Sequence, residues 1–266
     1  MKGAVGMSES DYTSVTEIPG VGASAEQISR LFHRYRFASD FCAGKDVLEV
    51  ACGSGIGLGY IAKTAKKVVG GDIDDNNLKL AREHYKGRGN VEICRLDAHS
   101  LPFADGSFDV VVFYEAVYYL ARPAEFFGEV KRVLRKGGVF IICSVNKDWS
   151  DFNPSPLSVR YFSVPELCSL LKERFCSVNF FAAFSAVDNT FRGRVASLIK
   201  RAAVSLHMIP KTMKGKEIFK RIFFGRLVAL PAEISDGMSE YALPVPIYGD
   251  ARNGDYKVVY AVCRND

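Results

Sequence analysis

Between residues 46 and 144, short apolar runs alternate with stretches patterned for helix, and that alternation constrains this chain more than any other feature. It predicts strands over 47–51, 68–73, 91–96, 108–114 and 139–145. Helices are predicted over about 57–66, 76–85 and 123–135, the last ended by Gly137 and Gly138. Strands separated by helices return to parallel neighbours, so the sheet is mostly parallel, with helices on both faces. Ser24 and Gln27 make a capping box ahead of Ile28, Leu31, Phe32 and Tyr35, which share one helix face. This N-terminal helix would cover the sheet. Ser163, Pro165 and Glu166 open a further helix, and 178–186 and 257–263 read as a closing antiparallel pair of strands, the sixth and seventh.

About 70 residues separate those two strands, too many for a plain loop in a compact domain. Residues 190–226 hold ten Lys or Arg against the single acid Glu217, a charge of +9. The whole chain carries +5, so everything else sums to −4 and the basicity belongs to this insertion. Mixed with Val195, Leu198, Ile218, Phe223 and Phe224, those cations suit a substrate lid, an anionic acceptor or peripheral contact with an anionic membrane surface. Nucleic acid is disfavoured, because one aromatic pair beside Arg221 is a thin platform for stacking bases. No apolar run reaches the roughly 18 residues of a membrane span, and no targeting pattern precedes the fold, so a cytoplasmic protein is expected, peripheral to the membrane at most. The seven cysteines are scattered, lack a C-x-x-C pair and mostly sit in apolar runs. Neither a disulfide framework nor a metal site is expected.

Chemistry concentrates in Glu49-Val50-Ala51-Cys52-Gly53-Ser54-Gly55-Ile56-Gly57, an apolar strand running into a glycine-rich turn that opens a helix. Such a turn lets a ligand approach the backbone and offers free N–H groups to an anion. A dinucleotide fingerprint would need glycine at 58 after Gly53 and Gly55, but Leu58 stands there and the third glycine is Gly57. Nineteen residues past Gly53, Asp72 closes the second strand, where a carboxylate can accept from both ribose hydroxyls of an adenosine. Asp74 or Asp75 caps the helix that follows.

With these features the sequence resembles the class I S-adenosylmethionine-dependent methyltransferases of small molecules, in particular the group that includes ubiquinone- and menaquinone-biosynthesis-like members. The resemblance covers roughly residues 25–185. It rests on Glu49 to Gly55, Gly70-Gly71-Asp72, Leu96-Asp97-Ala98, Leu101-Pro102-Phe103 with Asp105 and Ser107-Phe108-Asp109, and Leu134-Arg135-Lys136-Gly137-Gly138. It implies a Rossmann-like, mostly parallel seven-stranded α/β sheet with an N-terminal helical cover and a basic insertion before the last strand. Residues 1–23 would be a flexible terminus, 24–266 the methyltransferase domain and 188–255 an inserted lid. S-adenosylmethionine would be the cofactor. Glu49, Ala51, Gly53 and Gly55 would hold its methionine part, Asp72 and Ile73 the ribose side, and Asp97 and Ala98 the adenine; Tyr114 and Glu115 would border the methyl group. Ala51 stands where the family has glycine, and Tyr118-Tyr119 where many relatives have paired histidines.

Phe113-Tyr114-Glu115-Ala116 is not the Asn/Asp-Pro-Pro-aromatic motif of base amino methylation, and no Pro-Cys dipeptide offers a nucleophile to cytosine. The acceptor is therefore expected to be a small or lipid-linked molecule, methylated at oxygen. Aligning the nucleophile with an activated methyl supplies most of the acceleration, on the order of 7–11 kcal/mol in favourable cases, and a base adds to it. Glu115 is the first candidate base, followed by His33 and Tyr35 of the covering helix, with Tyr114 beside them. Two other readings fit parts of the sequence: a module that binds the cofactor without turnover, and a nicotinamide-dependent oxidoreductase, which the missing third glycine opposes.

Overall fold

The computed structural model describes residues 12–186 and 227–266. In chain order the elements are β1 (Gly22–Ala23), α1 (Ala25–Cys42), β2 (Asp46–Val50), α2 (Leu58–Ala62), β3 (Lys67–Asp72), α3 (Asp75–His84), β4 (Val91–Arg95) and β5 (Phe108–Tyr114). They continue with α4 (Pro123–Val133), β6 (Leu134–Val145), α5 (Val164–Lys172), β7 (Ser177–Ser185), β8 (Val228–Ala229), β9 (Val245–Ile247) and β10 (Tyr256–Arg264). The main sheet runs β4-β3-β2-β5-β6-β10-β7-β9. Its first five strands are parallel, and β10 is antiparallel to both β6 and β7.

Side chains alternate across this sheet with the period of two that a strand imposes. In β5, Val110 and Val112 enter one core, which they share with Leu31 of α1, Ile61 of α2 and Leu78 of α3. Val111 and Phe113 enter the other, with Phe126 and Val130 of α4 and Leu171 of α5. Helices therefore cover both faces, and the near-continuous apolar runs of the central strands follow from that double burial. Both capping boxes form: Ser24 with Gln27 at α1 and Ser163 with Glu166 at α5.

Several boundaries differ from the pattern read in the sequence. Among the described residues the sheet has eight strands rather than seven, because Val245–Ile247 adds an antiparallel edge beside β7. Three residues around Pro246 carry too little alternation to read as a strand, and proline is tolerated at such an edge. Helix α2 stops at Ala62, well before 66, because the backbone N–H of Lys66 donates to the carbonyl of Lys45 and turns the chain into β3. Helix α4 yields at Leu134, whose pairing with Phe108 starts β6 before the two glycines. Residues 12–23, read as part of a flexible terminus, are held to the rest of the chain: β1 pairs with β8, and the backbone N–H of Tyr12 donates to Asp74 at 2.9 Å. The basic stretch 190–226 lies outside the described residues.

Candidate functional site

The strand order reverses between β2 and β5: the chain moves outward through β3 and β4 on one side and through β6 on the other. In open α/β sheets a crevice opens at such a reversal, beyond the carboxyl ends of the strands. A cavity of about 600 Å³ lies there, of the size that takes a small-molecule cofactor and part of its partner. The residue after β2 and the residue after β5 both take a left-handed conformation without being glycine, Ala51 at φ 58° and Glu115 at φ 51°. Strained backbone of this kind persists where surrounding structure fixes it, and it clusters at functional sites. At position 51 the strain is separable from the chemistry. Ala51→Gly is expected to stabilise the fold by about 0.5–1 kcal/mol, the left-handed penalty relieved less the chain entropy added, measurable as a raised thermal midpoint.

Glu49, Asp72 and Asp97 bring carboxylates to the cavity wall. Asp72 accepts from the backbone N–H of Gly53 at 2.8 Å and from that of Asp74 at 2.9 Å, so the carboxylate at the end of β3 ties the glycine-rich turn to the start of α3. Burial raises its pKa even so. Gly53 (φ 56°) and Gly55 (φ 78°) both take conformations that a side chain would strain. Glu49 is 1% exposed, accepts from the Tyr35 hydroxyl at 2.6 Å through Oε1, and leaves Oε2 with no partner. Burial pushes its pKa up to about 8. Ile73, although apolar, is 46% exposed on the cavity wall, where Ala98 also lies. Asp97 accepts from the backbone and the ring Nδ1 of His99, each at 2.8 Å, which holds its pKa low against the opposing effect of burial.

Helix α1 and Glu115 also line the cavity. Tyr35 lines the cavity, and Gly57 makes room for its ring, since a Cβ on Gly57 would sit 2.0 Å from it. Gly57→Ala is therefore expected to cost about 1–3 kcal/mol by overpacking and to break the Tyr35–Glu49 bond, seen as a lowered thermal midpoint. The Tyr114 hydroxyl is spent on the carbonyl of Arg34 at 3.0 Å, which makes it a buried wall with no free proton to exchange. His33 does not join the cavity lining. Its Nδ1 faces the Tyr260 hydroxyl at 3.3 Å, its ring packs among Phe184 and Tyr241, and burial lowers its pKa; the apolar stripe of α1 turns it inward, which corrects its place among the candidate bases.

Sequence reasoning missed Tyr12, Thr16 and Glu17, which lie over the turn and line the cavity. Ser54 donates to the Glu17 carbonyl at 2.7 Å, and Asn77 donates to Thr16 at 3.1 Å. It also missed Gln27, Arg30 and Arg34, all of which line the cavity. Their spacing of three and four along α1 is the available signal: a polar stripe beside the apolar one.

Residues 48–142 match the family described as "Methyltransferase domain". The mostly parallel sheet with helices on both faces is Rossmann-like. The relatives that the chain matches carry methyltransferase names. The chain is 34% identical over 166 residues to a protein of Mycolicibacterium smegmatis named as a probable S-adenosylmethionine-dependent methyltransferase, covering 60% of this chain and 63% of that one. To the phthiotriol/phenolphthiotriol dimycocerosates methyltransferase of Mycobacterium tuberculosis it is 40% identical over 112 residues, 41% of each chain. The chain thus spans less than two thirds of the length of these curated relatives. The fold is like that of a SAM dependent methyltransferase from Aquifex aeolicus, with a TM-score of 0.50 at 22% identity over 61% of this chain and 93% of that one. No helix among the described residues is long and apolar enough to cross a membrane.

Proposed function

We propose that this chain, as one domain over 24–266, transfers the methyl group of S-adenosylmethionine to a hydroxyl of a small-molecule or lipid-linked acceptor. The observation that carries the reading is one cavity lined both by a buried and half-partnered Glu49 and by Glu115, delivered on strained backbone. The group of Glu49, Asp72 and Asp97 fits the cofactor. Its cationic ammonium and sulfonium groups complement Glu49, the ribose hydroxyls complement Asp72, and Ile73 and Ala98 offer apolar surface to the adenine, with Asp97 at its edge. When bound, the sulfonium supplies a methyl group already activated for transfer.

The chain's own work is then to position and to take a proton. Tyr35 fixes Glu49, Asp72 and the two left-handed glycines shape the turn, and Glu115 is placed to accept the acceptor's proton. Burial raises the pKa of Glu115, against the pull of Arg34, toward the range of a useful base. Two further observations support the acceptor class: a relative named for phthiotriol compounds, and the +9 charge of residues 190–226, which favours an anionic or membrane-borne acceptor.

Methyl-labelled S-adenosylmethionine incubated with the chain and fractionated extract of the source cells tests the reading. Label is expected in one fraction, with the rate lowered about a hundredfold or more in Glu115→Gln and cofactor affinity unchanged. Cofactor binding without transfer to any fraction would instead make the chain a binding module.

A further inference from the structure

Two cavity-lining side chains face each other across a gap with matching chemistry. Arg34 is 8% exposed and anchored at one end, its Nη2 donating to Glu17 at 2.5 Å, while the Tyr114 hydroxyl holds the carbonyl of the same residue. Glu115 is likewise anchored at one end: its Oε2 accepts from the Tyr118 hydroxyl at 3.1 Å and from the backbone N–H of Val145 at 3.2 Å. Among the described residues, Arg34 Nη1 and Glu115 Oε1 have no N–H···O or O–H···O partner, and they stand 4.0 Å apart. That is too long for a hydrogen bond and too short for another side chain to enter. Oε1 also accepts from the Cys143 thiol at 3.9 Å, a weak donor.

We infer that this gap is the seat of the acceptor's hydroxyl, with Arg34 and Glu115 as its clamp. The inference rests on the methyl-transfer reading above and deepens it by adding Arg34 and naming the two atoms that seat the hydroxyl. An oxygen about 2.8 Å from each end would subtend an angle of about 90°, within the reach of one hydroxyl. The guanidinium only donates and the carboxylate only accepts, so the group between them must accept from one and donate to the other. A hydroxyl does both. It does so in the state it holds in water, whereas an amine is an ammonium there and cannot accept from Arg34 until it gives up a proton, and a carboxylate cannot donate to Glu115. In the transfer, the hydroxyl oxygen forms its bond to the methyl carbon as the bond from that carbon to sulfur breaks, the electron pair leaves with sulfur, and the hydroxyl proton passes to Glu115. Arg34 stabilises the negative charge that gathers on oxygen along the way.

The test is a crystal structure of the full chain with S-adenosylhomocysteine, soaked in parallel with phenol, benzylamine and benzoate. The expected result is an oxygen, from phenol or from water, within about 3.2 Å of both Arg34 Nη1 and Glu115 Oε1, with neither the amine nor the carboxylate seated there. Direct contact between Arg34 and Glu115, a gap that holds no bridging oxygen, or benzylamine or benzoate seated in it would overturn the assignment. S-adenosylhomocysteine absent from the cavity would overturn the methyl-transfer reading itself, a separate outcome visible in the same maps.

Discussion

Replacing Glu49 with glutamine is expected to leave stability nearly unchanged below pH 4, to raise it by about 1 kcal/mol at pH 5 and by about 3–5 kcal/mol at pH 9, in the protein without cofactor. The carboxyl is 1% exposed and its folded-state pKa stands at about 8, against 4.5 in a free chain. A group raised in this way holds its proton in the folded state at pH values where the unfolded chain has released it. Stability is therefore largest below 4.5, falls as pH rises through the interval, and reaches its floor above 8. Glutamine keeps the acceptor for Tyr35 and never ionises, so the variant loses only this pH dependence. Thermal or urea unfolding of both proteins from pH 5 to 9 measures the difference. Parallel curves across that range would mean that Glu49 is already paired as an anion. On the proposed reading the same substitution should weaken cofactor binding, since Glu49 can ionise to meet the cofactor's cations and glutamine cannot.

Asp72→Ala is expected to weaken S-adenosylmethionine binding by a hundredfold or more, while the protein stays folded. On the proposed reading the carboxylate accepts from two ribose hydroxyls, and hydrogen bonds to a charged group are worth about 1.5–3 kcal/mol each. It also ties Gly53 and Asp74 together, so the variant loosens the glycine-rich turn as well as losing the contact. Asp72→Asn separates the two effects: it keeps acceptors for the turn and gives up the charge, and should lose less. Equal affinity in wild type and Asp72→Ala would place the ribose elsewhere.

The alternation of strand and helix exposed the central fold in the sequence because burial on both faces makes each strand a bare apolar run. The glycine-rich turn and Asp72 were legible for a similar reason: conformation and spacing restrict them to few residue types. Edge strands such as 245–247 were not, because one exposed side and a proline remove the pattern. The N-terminal segment carrying Thr16 and Glu17 has no periodicity, and its place over the turn is a matter of tertiary contact alone. His33 misled for the opposite reason: histidine is a common base, yet its position on α1 is set by the helix's apolar face, which packs it against Tyr241 and Tyr260. Arg34 was hidden because charged residues on a helix are ordinarily solvated, and its burial beside Glu115 depends on how α1 crosses the end of β5.

The central claim is tested most directly by calorimetric titration of S-adenosylhomocysteine into the wild-type chain, with NAD as the control ligand. Micromolar binding of the sulfur ligand with NAD silent is the predicted result. Folded protein that binds NAD, or that ignores both, would contradict the account and leave the cavity at the strand reversal to another ligand.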